Sequence, residues 1–427
     1  MWMTSFQTYS ILLPAFLVLF SGCRKEQEMV QRPERIFSKR VVLYDSSTYA
    51  HLAQLWQRYY EAYPSEDAYA NWMYAARYAG AGDYEAMLKE GLSRYPANPT
   101  ILYLSGLTRL GGKQIEETRR LLEQAASLDR SYDDPWYPLI DVYMQTGDRE
   151  RTNVALRHLL ESGAIADEVM DFSYNMFTCL EKNAVLITNG DNDTYPGWIL
   201  TRVVGYRPDV RIVNRSLLNT EWYPALVIGE GVPAFVTQES LTRLREDILT
   251  DLKSGKSPIP EGGPFGDVLI EKLIEAATRE HRPVYFSCTM MPTKMVQQYV
   301  HRGRNLGLVT LVTPSVTPYP QDLRRLMDVW LGEFRNGGLD SWQLRHADAS
   351  RAGRQLIVNY ASAIRALLPS ILEMNPQYRL GLFRWYEAHL WKALPREALD
   401  ESNRLWCSGK LPKEIEEWCS KQGYTAR

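Results

Sequence analysis

The run Asn189-Gly190-Asp191-Asn192-Asp193-Thr194-Tyr195-Pro196 sets two carboxylates two positions apart, with Asn189, Asn192 and Thr194 beside them. On a loop, Asp191 and Asp193 can reach one hard divalent cation (Mg²⁺, Mn²⁺ or Ca²⁺), and the amide and hydroxyl groups supply neutral oxygens. The free N–H groups of a helix starting just after them would favour an anion. In a catalytic reading the two aspartates are metal ligands, or one of them is a general base. The same residues also describe an ordinary helix start. Asp193 or Thr194 would then be the N-cap, Pro196 would sit in the first turn, and Asn189-Gly190 would form a tight turn. Spacing alone does not separate these readings.

The loop lies between two kinds of element. Ala184-Val185-Leu186-Ile187-Thr188 reads as a buried strand, and residues 196–204 read as a helix. Further strands are expected at Val210-Arg211-Ile212-Val213, Pro283-Val284-Tyr285-Phe286 and Leu308-Val309-Thr310-Leu311-Val312, with an amphipathic helix over 265–279. Strands alternating with helices predict a small parallel-sheet, Rossmann-like α/β domain over 182–320. Ligands of such sheets bind outside the carboxyl ends of the strands. Ser216 and Asn219 after the second strand, and Thr289 after the third, are therefore expected to converge on Asp191 as a ligand-binding set.

Upstream the chain is helical and repeats. Turn signals at Gly80-Ala81-Gly82-Asp83, Gly111-Gly112-Lys113 and Gly147-Asp148 separate alignable segments 67–96, 100–129 and 135–162. That period is close to the 34 residues of tetratricopeptide repeats. Each segment carries large apolar residues in its first helix (Trp72 and Tyr74; Leu102, Leu104 and Leu107; Trp136, Leu139 and Tyr143). Each also carries a small-plus-large pair in its second (Ala86 and Leu88; Ala125 and Leu128; Ala155 and Leu159). Stacked hairpins of this kind leave a face suited to a protein or peptide partner. The expected fold class is thus α/β plus all-α: repeats over 46–181, the α/β domain, then a helical region over 321–427 with helices through 355–368 and 380–394.

The first residues are an address. An apolar run from Ile11 to Phe20 is too short for a membrane span and right for a signal-peptide core, so 1–22 reads as a signal peptide. Phe20-Ser21-Gly22-Cys23 resembles the lipobox of bacterial lipoproteins, which makes Cys23 the expected lipidation site and a membrane the expected partner. Residues 23–45 would be a polar tether, and the setting the cell envelope, with Arg24 favouring the outer membrane. Export would allow Cys407 and Cys419 to pair, while Cys179 and Cys288 read as buried thiols. A net charge of −2 argues against nucleic acid, whose phosphates require a basic surface. The six histidines show no zinc-ligand spacing. Ser254-Gly255-Lys256-Ser257 lacks the context of a phosphate-binding loop, and Gly255 reads as a helix C-cap.

A family resemblance rests on Ile187-Thr188-Asn189-Gly190-Asp191-Asn192-Asp193-Thr194-Tyr195-Pro196. It continues through Val203-Val204-Gly205-Tyr206-Arg207-Pro208-Asp209-Val210 and Asn214-Arg215-Ser216-Leu217-Leu218-Asn219-Thr220-Glu221-Trp222-Tyr223. These residues resemble the soluble part that follows the transmembrane helices of bacterial protein O-mannosyltransferase-like proteins, common in Bacteroidetes and related phyla. Arg282-Pro283-Val284-Tyr285-Phe286, Gly307-Leu308-Val309 and the helices around Asn359-Tyr360 fit the same part, so the resemblance covers residues 183 to 427. It implies a glycosyltransferase-like ancestry. In that family, chemistry on a lipid-linked donor is carried by acidic residues on loops between transmembrane helices, and no stretch downstream of the signal reads as such a helix. The leading expectation is a non-catalytic binding or assembly lipoprotein. In it the repeats engage a protein partner, and the α/β domain holds a polar or anionic ligand or a metal near Asp191. The alternative is a metal-dependent enzyme acting on envelope glycans or phosphorylated intermediates.

Overall fold

The computed structural model describes residues 29–110, 114–254, 264–315, 317–346, 351–409 and 411–424. The signal run, Cys23, the turn at Gly111-Gly112-Lys113 and the C-cap expected at Gly255 lie outside these residues.

Helix starts are fixed by local side-chain caps, which satisfy N–H groups that have no partner inside the helix. Asp45 accepts from the Thr48 amide before α1 (Ser46–Ala62), and Ser65 accepts from Ala68 before α2 (Glu66–Ala79). Asn98 accepts from Ile101 before α4 (Pro99–Leu107), which follows α3 (Tyr84–Arg94) and places Pro99 in its first turn. After α5 (Ile115–Leu128) and α6 (Trp136–Gln145), Asp148 caps α7 (Arg149–Glu161), and α8 is Asp167–Thr178. Gly80, with φ +72°, ends α2 in the left-handed region where a side chain is disfavoured. The hairpins α2/α3, α4/α5 and α6/α7 coincide with the three repeats read from the sequence. Within them helices approach closely: a Cβ on Gly106 would lie 2.8 Å from Leu122 Cδ2. Two expected core residues are not in the core, since Leu128 is exposed and Ala86 faces solvent.

The sheet differs from expectation. It has five strands rather than four: β1 (Val185–Thr188), β2 (Arg211–Asn214), β3 (Val284–Ser287), β4 (Arg304–Asn305) and β5 (Val309–Leu311), in the order β2-β1-β3-β5-β4. β1 pairs with β2 and β3 in parallel, as the alternating pattern requires. β5, however, runs antiparallel to both β3 and β4. The expected parallel sheet is therefore a mixed one. The cause is local. The crossover helix Lys294–Arg302 delivers the chain to β4, and the chain reverses at once through Leu306 and Gly307, whose φ is +78°. β5 then fills the place between β4 and β3.

The parts share one hydrophobic core running from Ile36 to Cys419. α8, assigned from sequence to the repeats, belongs equally to the sheet. Met176 Sδ accepts from Ser287 Oγ at 3.3 Å, and Asn175 bonds both to the backbone of Arg335 and to Tyr360 Oη. Helix Val358–Met374 buries Tyr360, Ile364, Leu367 and Ile371 in that core. The stretch around it, residues 352–373, is long and apolar enough for a membrane span by length and composition, with a mean hydropathy of 1.2. Those inward residues nevertheless give it the packing of a core helix. Many of the aromatic residues are spent here, with Trp330, Phe334, Tyr360 and Trp385 in mutual ring contact. Cys407 and Cys419 form a disulfide, with Cα atoms 5.7 Å apart. Cys179 is a buried free thiol and Cys288 a half-buried one.

Candidate functional site

The acidic loop begins where β1 runs out of partners. Gly190 is the N-cap of α9 (Asp191–Trp198), which starts five residues earlier than the sequence suggested and widens into a π-helical turn over Ile199–Val204. Pro196 therefore lies inside the helix rather than in its first turn, and it withholds one N–H from the helical ladder. Asp193, the third helical residue, folds back on the loop. Its carboxylate accepts from the Asn189 amide at 2.8 Å and the Gly190 amide at 2.9 Å, and the Thr289 hydroxyl donates to it as well. The residue is buried. Burial raises its carboxyl above the usual range, against the lowering effect of Thr289 and the two amides.

The strand ends converge on Asn189, Asp193 and Thr194, not on Asp191 as expected, and Asn219 bonds elsewhere. Thr194, also buried, meets the Thr188 hydroxyl at 2.7 Å and accepts from Asn214 at 2.9 Å. The Ser216 hydroxyl donates to the Asn189 carbonyl at 3.1 Å, and Thr289 contacts Ser287 Oγ at 2.6 Å. Asn219 Oδ1 accepts from the Gly266 amide at 3.0 Å. Behind them Arg215, 5% exposed at its side chain, makes a two-point ion pair with Asp267, which also accepts from Thr293 Oγ1 at 2.7 Å. The sequence pattern assigns Arg215 no role and does not point to Asp267 or Thr293. Their pairing joins positions 52 residues apart, which no local pattern encodes. The network satisfies itself: its donors are turned toward its own acceptors.

Asp191 stands apart from this network. Its side chain is 52% exposed and ion-paired at 2.5 Å with Arg40, a residue of the supposed tether. Asn192 and Asp191 line a cavity of about 120 Å³ together with Arg40, Tyr137, Arg351 and residues 163–166. The two aspartates are thus committed to different partners and do not share a cation in this arrangement. Among the described residues no group of three or more His, Cys, Asp or Glu side chains is placed to hold a metal ion. A larger cavity of about 440 Å³ lies beyond Asn219, lined by Arg245, Leu241, Leu249 and Phe265.

Arg40 leads to a second surface that sequence reading missed. Residues 32–42 lie against the first helices of the repeats. Arg32 pairs with Asp67 at 2.8 Å, and Trp56 Nε1 donates to the Glu34 carbonyl at 3.1 Å. Ser38 Oγ donates to Asp134 at 2.5 Å, and the Lys39 amide donates to Tyr74 Oη at 2.9 Å. The Lys39 ammonium sits 4.8 Å from the Tyr78 ring centre, and the Arg40 guanidinium 3.7 Å from that of Tyr137. Such cation–π contacts are worth about 0.5–2 kcal/mol, more as water is excluded. Beyond Arg40, Val42 bridges to Arg351 in the C-terminal region. Residues 32–42 are therefore docked, which corrects their reading as a spacer. One signal could have exposed the surface: Tyr103 and Tyr137 stand one 34-residue period apart, and the Tyr137 ring meets Arg40.

Asp141 lies on α6 in the same neighbourhood. It accepts from Tyr195 Oη at 3.3 Å, while its other oxygen has no hydrogen-bond partner among the described residues. Burial first, and the charge of Asp191 second, push its carboxyl up to about 7, against the opposing pull of Arg40.

Fold and site together define a tetratricopeptide-like repeat array that shares its core with a small mixed α/β sheet and holds a segment of its own chain. Residues 169–227, from α8 through β2 and its following turn, match the family model TMEM260-associated domain 2. That match points to the TMEM260-like protein O-mannosyltransferase family, in keeping with the resemblance read from residues 187–223. It also begins inside α8, on the repeat side of the boundary drawn from sequence. No curated protein matches the chain in sequence. Among solved structures, one titled "Structure of Naa15/Naa10 bound to HypK-THB" aligns over 84% of this chain and 51% of that one, at 12% identity and a TM-score of 0.19. The chain thus spans about half the length of that matched chain.

Proposed function

We propose that this protein is a binding or assembly lipoprotein of the cell envelope, anchored through Cys23, whose repeats engage a polypeptide. The observation that carries the reading is the surface formed by Tyr74, Tyr78, Asp134 and Tyr137, which already holds Ser38, Lys39 and Arg40 of the chain itself through side-chain and backbone contacts. Aromatic faces and carboxylates presented by successive repeats suit an irregular polypeptide, which offers cations and amides along its length. In this reading the α/β domain acts as the floor of that surface. Asp191 is offered from the start of α9 to a cationic side chain, while Asp193, Thr194, Asn189 and Thr289 keep the loop rigid. The TMEM260-like relationship supports a role near envelope glycosylation, with this chain as an accessory rather than the transferase.

The test is a photo-reactive residue in place of Tyr78, which is half-buried beside Lys39, installed in the full chain in intact envelopes. The reading expects an adduct with a second polypeptide. Adducts with glycan alone, or none with a second polypeptide even when Lys39→Glu with Arg40→Glu loosens the chain's own segment, overturn it. Anchoring is checked separately by labelling with a fatty acid, which Cys23→Ser should abolish.

A further inference from the structure

Residues 32–42 dock in an unexpected sense. A strut added for stability would turn its apolar side chains inward, because removing them from water is the main favourable term. Here Phe37 and Val41 are left 45% and 44% exposed, whereas the polar Ser38 and Arg40 are turned toward the repeats. Only Ile36 is buried as a strut residue would be. Each inward or rim group has its own reader: Asp134 for the Ser38 hydroxyl, the Tyr78 ring for the Lys39 ammonium, and the Tyr137 ring with Asp191 for the Arg40 guanidinium.

The backbone is read at one point, where the Lys39 amide donates to Tyr74 Oη, and it is otherwise bonded to itself. The Ser38 carbonyl accepts from the Val41 and Val42 amides at 2.9 and 3.0 Å, and Ser38 Oγ accepts from the Arg40 amide at 3.2 Å, so Ser38-Lys39-Arg40 is held as a turn. The surface receiving it is acidic and aromatic. Asp134 is itself buried, which is costly for a carboxylate unless a hydrogen-bonding or cationic group is brought to it. Burial raises its carboxyl; Ser38, Arg40 and Tyr74 act the other way.

Building on the polypeptide-binding role proposed above, we infer that this surface is a receptor for basic polypeptide segments presenting a Ser-Lys-Arg turn, and that residues 36–42 are its built-in competitor. A partner of that chemistry must displace the chain's own segment. The docked segment therefore sets a threshold for binding, since a site mostly filled in cis shows a partner only its unoccupied fraction.

The experiment uses the full mature chain and a fluorescent synthetic peptide of residues 32–44. Lys39→Glu with Arg40→Glu weakens the cis segment without touching its receptor, and Arg40→Ala alone is a milder version should the double variant fold poorly. Hydrogen exchange over 36–42 reports whether the segment has been released, and fluorescence anisotropy reports binding of the added peptide. Exchange is expected to rise at least tenfold, and the peptide to bind the variant at least tenfold more tightly than the unaltered chain. Adding Asp191→Ala to the released variant should then weaken binding at least fivefold, and a peptide carrying Glu in place of Arg40 should not bind. Exchange that stays unchanged in both variants overturns the competitor while leaving the polypeptide-binding role standing. Exchange that rises with no peptide bound overturns the receptor, and that role falls with it.

Discussion

Replacing Asp141 by Asn separates a buried charge from the shape of the group that carries it. In the folded chain the carboxyl is raised from an ordinary 3.8 to about 7 by burial and by Asp191. The folded state therefore holds a proton that the unfolded state releases near pH 4. The stability associated with that proton is intact at low pH. It is lost progressively as pH rises from the unfolded value through the folded one, and the loss levels off above pH 7. Each pH unit between the two values is worth about 1.4 kcal/mol, which sets a ceiling of about 4 kcal/mol. Relaxation of the surroundings damps the energy even at buried sites, so about 2 kcal/mol is the working expectation. Asn keeps an oxygen for the Tyr195 hydroxyl and cannot ionise. The difference in unfolding free energy between variant and parent should be near zero at pH 4, grow between pH 5 and 7, and be constant above. Urea unfolding at pH 4, 5.5, 7 and 8.5, with the slope checked at each, measures it. A difference independent of pH, or a variant less stable than the parent at pH 8.5, would refute a neutral Asp141 at low pH.

Further outcomes follow from the same structure. Asp193→Ala strands two amide donors and the Thr289 hydroxyl, so the chain should lose about 2–4 kcal/mol by chemical unfolding, while Asp191→Asn should cost less than about 1 kcal/mol. Equal losses would mean that the two aspartates are not divided between structure and surface as described. Gly307→Ala forces a side chain into the left-handed region with its Cβ 2.8 Å from Trp330 Cζ3, and should lower stability by about 2 kcal/mol or more. An unchanged melting temperature would show that the β4–β5 reversal does not need glycine. Replacing Cys407 and Cys419 together by Ser opens a loop with a sequence separation of 12 and should cost about 2–3 kcal/mol. The difference from the parent should vanish under reductant, and a difference that persists there would not be due to the bond.

Much of the architecture was readable in one dimension because it is set by near neighbours. Gly80 and Gly147 end helices by their own φ angles, and Ser65, Asn98 and Asp148 start them by bonding to amides three residues on. Hence the three hairpins and their period were visible. The apolar runs at β1, β2 and β3 gave parallel strands for a similar reason, since strands buried on both faces need no alternation. Tertiary structure alone decided the rest. Whether Asp193 is a cap or a ligand depends on which donors surround it, and one of these, Thr289, is 96 residues away. Residue type at Asp191 says only that a cation will be welcome. The cation that arrives is Arg40, 151 residues earlier, brought there because the segment before α1 lies across the repeats instead of leaving them. The direction of β5 was hidden too, because a strand's composition is the same whichever way it runs. Local bonds repeat with the chain and can be read from it; long-range partners are chosen by the packed core, and only coordinates reveal them.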